Sequence, residues 1–121
     1  MIYFLFAGAL ALLWAAVHIV IGGRQIARPL AQSTTLAPVV RDTQHLCWHL
    51  TSGALVLMGG FLMTAALTGT VAYGIAGTLL AATFAAIGLG LAPLIGQDYR
   101  VLPQGWLFVP VTGLGLAGLL L

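Results

Sequence analysis

Four long apolar runs, with almost nothing charged inside them, limit what this chain can fold into. The first extends from Ile2 to Gly22, the second from Leu46 to Thr68, the third from Val71 to Ile95, and the fourth from Pro103 to Leu121. About 20 apolar residues are needed for a helix to cross roughly 30 Å of hydrocarbon. Spans 2–22, 46–68, 71–95 and 103–121 therefore predict an all-α integral membrane protein, a single domain of four transmembrane helices in an antiparallel up-down bundle. A signal peptide would begin with a positive segment and have a shorter apolar core. No charged side chain precedes Arg24, so the first run is read as a retained span.

Composition supports lipid as the solvent. Only 5% of the 121 residues are charged and 61% are hydrophobic, whereas a soluble domain carries about 25% charged residues. Four arginines and two aspartates are too few for the basic stripe that a nucleic-acid partner requires, and that class is excluded. The single cysteine, Cys47, rules out an internal disulfide or a CxxC site. It is expected to act as a small filler on a buried helix face.

The arginines orient the bundle. Arg24, Arg28 and Arg41 lie between spans one and two, and Arg100 lies between spans three and four. The turn at Gly69-Thr70 and both ends of the chain have no charged side chain. The positive-inside rule then places the arginine loops in the cytoplasm and both termini outside, in a membrane of the bacterial inner-membrane kind. Span one is expected to run loosely through Gly22-Gly23 to Arg28, with Pro29 as its stop. Thr34 or Thr35 is expected to cap a second helix starting at Leu36 and extending into the cytoplasm, with Pro38 in its first turn.

In lipid, helices associate through small residues at helical spacing. Ala7, Ala11 and Ala15 form such a ridge in span one. Gly74, Thr78, Ala82, Ala86 and Gly90 recur every four residues in span three, and His49, Ser52 or Gly53, Val56 and Gly60 share a face of span two. These ridges suit either a compact bundle or contact with another subunit.

One polar constellation stands out. Asp42, His45 and His49 fall on one helical stripe, and His18 descends at similar depth on span one. Arg24, Arg28, Arg41, Asp98, Tyr99 and Arg100 provide candidate rim, ligand or lipid contacts at the same end. Imidazoles with a carboxylate suit a transition metal, and facing helices commonly build such sites. Two histidines on opposite helices also suit a b-type haem, and His or Tyr side chains can hydrogen-bond a quinone or a lipid headgroup. Interfacial histidines that simply satisfy backbone carbonyls, Asp42 or water are the leading alternative.

No nucleophile–base arrangement, phosphate loop or haem-attachment motif is present, and no acidic residue lies within the apolar part of a span. The leading expectation is thus a non-enzymatic accessory or ligand-binding membrane subunit, alone, as a homo-oligomer or in a larger membrane complex. A metal- or haem-dependent redox protein is the second expectation, and a small transporter or channel the third.

Overall fold

A computed structural model describes residues 1–121. The chain is an all-α bundle of four helical segments. The first comprises α1 (Ile2–Val17), a π-helical stretch (His18–Ala27) and the single turn α2 (Arg28–Ala31). It is followed by α3 (Pro38–Thr68), α4 (Val71–Leu94) and α5 (Gln104–Leu120). Three segments are long and apolar enough to cross a membrane, namely Ile2–Ala31, Pro38–Thr68 and Val71–Leu94; α5 is apolar but shorter, at 17 residues.

Local chemistry sets the boundaries. Gly69 and Gly96 both take φ of +72°, a left-handed conformation that glycine adopts without a Cβ penalty. At Gly96 the N–H of Gln97 reaches the Ala92 carbonyl at 2.8 Å and that of Gly96 reaches Pro93 at 3.1 Å, the pattern that closes a helix C-terminus.

Two expected boundaries are corrected. Neither Thr34 nor Thr35 caps α3. Ala37 is its N-cap, extended at φ −56°, ψ 138°, and Pro38 opens the first turn. A residue before proline is steered out of the helical region, and proline's fixed φ suits a helix start. The Ser33 and Thr35 hydroxyls instead hydrogen-bond to each other at 3.3 Å. Nor does Pro29 stop the first segment: it sits in the first turn of α2, and the helix ends at Ala31.

The core is narrow. Phe4, Met58, Leu62 and Val111 are its largest fully buried side chains, joined by Ala7, Ala11, Ala15, Ala81 and Phe108. Phe84 meets Phe108 edge-to-face at 5.2 Å. Only 21 of 121 residues are buried, and large apolar side chains such as Leu50, Leu67 and Leu79 point outward. Such a surface is unfavourable in water and suits an apolar solvent.

Small residues let the helices close. A Cβ at Gly105 would strike the backbone of Gly88 and Leu89, and one at Gly88 would come within 2.6 Å of Gly105 N; α4 and α5 therefore touch backbone to backbone. Gly59 receives Leu12, Gly8 receives Met63, and Gly77 receives Leu62. Phe4 fills the space beside Gly74 and Gly118. At the other end of the bundle Trp14 Nε1–H donates to the Leu107 carbonyl at 3.0 Å.

The expected ridge of span one is buried at Ala7, Ala11 and Ala15. The other two need correction. On α4 the buried stripe is Gly74, Gly77, Thr78, Ala81, Ala85 and Ala92, while Ala86 and Gly90 are exposed. A strict four-residue step outruns the 3.6-residue turn and walks around the helix, so an interface alternates steps of three and four. On α3 the buried residues are Leu55, Met58, Gly59, Leu62 and Ala65, and His49, Gly53, Val56 and Gly60 face outward. Cys47 is exposed as well, not the buried filler expected from its type.

Candidate functional site: a cleft beside the π-helical stretch

The first segment changes its hydrogen bonding at His18. Over ten residues the backbone follows the π pattern, seen where the N–H of Arg28 bonds to the Gly23 carbonyl five residues back. π-Helical turns are rare and often mark functional sites. The stretch contains Gly22-Gly23, the point of least resistance to a change of helix type. Trp48 of α3 bears on it there: a Cβ at Gly22 would come within 2.8 Å of the Trp48 ring. The same indole stacks on the His18 imidazole, with ring centroids 3.9 Å apart and planes inclined by 15°.

Beyond Trp48 the π stretch and α3 separate, leaving a half-open cleft of about 440 Å³. Ile19, Gly23, Ala27 and Ala31 form one wall together with Arg28; His45, Trp48, His49 and Ser52 form the other. The cleft is lined mainly by apolar surface with a few polar groups, as small-ligand sites commonly are. Ser52 donates its hydroxyl to the Trp48 carbonyl at 3.1 Å and keeps its lone pairs. Arg28 makes no ion pair, because the chain's single salt bridge joins Arg41 to Asp42 at 2.7 Å.

The structure does not gather the expected site residues in one place. His45 and His49 come together on α3, one turn apart, with their Nε2 atoms 3.3 Å apart. His18 does not join them. Its ring face is covered by Trp48, and its Nε2 stands 3.5 Å from the Trp48 carbonyl. Asp42 is turned to Arg41, which donates from Nε at 2.7 Å and from Nη2 at 3.3 Å. That hydrogen bond holds the Asp42 carboxyl below the usual carboxylate range and raises the Arg41 guanidinium. Accordingly, no group of three or more His, Cys, Asp or Glu side chains stands in an arrangement that could hold a metal ion.

The remaining rim candidates belong to the α4–α5 connection. Asp98 Oδ1 accepts from the Arg100 backbone N–H at 2.7 Å, and the Tyr99 hydroxyl donates to the Leu89 carbonyl at 2.7 Å. Tyr99 also meets Trp106 edge-to-face at 6.0 Å. These contacts fold the connection back on its own helices, and none of its residues lines the cleft. Arg24 is exposed on the π stretch and outside the cleft lining.

Two contributors escape sequence reasoning, and a third, Ser52, is expected only as a neighbour of His49 on one face of span two. Ile19 gains its place only from the parting of the two helices. Trp48 reads as an interfacial anchor, whereas its half-buried ring wedges against Gly22 and His18. A Gly-Gly pair opposite a Trp is the one available signal, and it acquires meaning only once the helix register is known. Compared with protein-family models, curated proteins and solved structures, the chain has no match in any of the three.

Proposed function

We propose that this chain is a four-span, up-down integral membrane protein that acts as a ligand-binding subunit, with the cleft between the π-helical stretch and α3 as its site. The pairings of Gly8 with Met63 and Leu12 with Gly59, and of Thr78 with Gly115, support the up-down path. Arg24, Arg28, Arg41 and Arg100 all fall at the end of the bundle marked by His18 and Trp48, which supports a cytoplasmic location for the cleft by the positive-inside rule.

One observation carries the ligand class: Arg28, with no carboxylate partner, lines the same cleft as two imidazoles and Ser52, on a wall shared with Ile19, Ala27 and Ala31. A guanidinium recognises phosphate or carboxylate oxygens, and cations just outside the hydrocarbon attract anionic lipid headgroups. The apolar side chains of that wall suit the glycerol and upper acyl part of the same molecule. The occupant we infer is an anionic phospholipid headgroup, and the protein's role is that of an accessory subunit reading or holding such a lipid.

Native mass spectrometry of protein released from nanodiscs holding equal phosphatidylglycerol and phosphatidylcholine tests this reading. One retained phosphatidylglycerol is expected, at least fivefold less populated in Arg28→Gln. Equal retention of the two lipids, or retention unchanged in Arg28→Gln, contradicts it.

A further inference from the structure

The geometry points to a second capacity in the same region: His45 and His49 form a two-imidazole chelate for a divalent transition-metal ion of the zinc class. Two histidines four residues apart share one face of a helix, the spacing by which a helical pair grips zinc. Here both rings turn the same nitrogen inward, and the two Nε2 atoms are 3.3 Å apart. Zinc–nitrogen bonds of about 2.0–2.1 Å at a tetrahedral angle place two ligand nitrogens about 3.3–3.4 Å apart. The pair already has the bite of two corners of a zinc tetrahedron.

The rings cross at 71° with centroids 4.7 Å apart, meeting edge-to-face and not stacked. Without metal, one Nε2–H donates to the other Nε2. Metal binding needs both Nε2 lone pairs, and the shared proton moves to the Nδ1 of its own ring, with no net change in charge. His49 is exposed and His45 half-exposed on the cleft wall, leaving the other two corners to water or to a ligand in the cleft. Asp42 does not complete the shell, being held by Arg41, and His18 is stacked under Trp48. Arg28 on the other wall opposes a bare dication, and an anion between them offsets that repulsion.

The test is titration calorimetry of the full-length, chelator-stripped protein in detergent with Zn²⁺ alone. One site is expected, weakened at least tenfold in His45→Ala and in His49→Ala, and changed less than twofold in His18→Ala and in Cys47→Ser. No site, an unchanged Kd in either of the first two, or a tenfold loss in either of the last two, overturns the assignment. A second measurement needs no variant: Cu²⁺ bound to the native chain should show electron paramagnetic resonance couplings from two imidazole nitrogens. One, or three and more, contradicts the chelate. The chelate and the headgroup reading fail separately, since Arg28→Gln removes lipid retention and leaves two imidazoles on the metal.

Discussion

Two parts of the bundle solve the packing problem in opposite ways. Along α4 and α5, glycines remove side chains so that helices meet closely, and Gly74, Gly77, Gly105 and Gly115 all have a neighbour inside Cβ distance. At the His18–Trp48 end the first segment widens into a π-helix, a tryptophan fills part of the gap, and a cleft remains. Gly23 lines that cleft, and a Cβ there would meet nothing within 4 Å. The same residue type thus marks close contact in one region and open space in the other. The packed region holds the fold, and the open end is where a ligand can enter without disturbing it.

The comparison is broken most sharply at its two kinds of glycine. Gly105→Ala drives a methyl into the backbone of Gly88 and Leu89, and overpacking of this sort costs roughly 1–3 kcal/mol. The opposing atoms are backbone and cannot rotate aside, so the loss should lie near the top of that range. Gly23→Ala should cost nothing or stabilise by up to about 1 kcal/mol through helix propensity. Thermal or denaturant unfolding in detergent checks both, and equal losses would erase the distinction between the two regions.

A smaller effect is expected at Thr78. Its hydroxyl is the one buried side-chain polar group without a hydrogen-bond partner, whereas Thr64, Thr83 and Thr112 each donate to the carbonyl four residues back. It lies against Gly115 in the α4–α5 contact. An unsatisfied buried hydroxyl costs about 1–3 kcal/mol, and Thr78→Val keeps the shape while removing that group. Stabilisation of about 1 kcal/mol is expected in the same unfolding assay, and a clear loss would mean the hydroxyl has a partner in the membrane.

The smallest effect belongs to Asp42. Arg41 depresses its folded pKa, so any contribution is present above the unfolded pKa and is lost as pH falls through the folded one. Both groups are open to solvent at the start of α3, where ion pairs are screened and weak. Asp42→Asn and Arg41→Gln should therefore each leave the melting temperature at pH 7 unchanged within error. A measurable loss in either would show that the pair is shielded by something else.

Much of the scaffold was legible in the chain. The apolar runs mark the helical segments, and the uncharged Gly69-Thr70 pair marks the break between α3 and α4, because hydrocarbon length and backbone sterics act locally. The Ala7-Ala11-Ala15 ridge was readable for the same reason. The ridges on α3 and α4 were not, since a repeat of four is not the period of a helix and abundant small residues hide the true stripe. The site was legible only in part. His45 and His49 follow from their spacing on one helix, but the separation of His18 depends on where Trp48 sits. The cleft depends on a change of helix type, which follows from packing between distant segments and has no periodic signature.

The most direct measurement concerns a cleft-filling variant, Gly23→Phe, compared with the native chain by melting temperature and by phosphatidylglycerol retention in native mass spectrometry. The phenyl ring enters open space and should leave the melting temperature within about 2 °C, a shift of well under 1 kcal/mol, while retained lipid falls at least fivefold. Retention at the native level in a folded Gly23→Phe protein would contradict the cleft as the binding site.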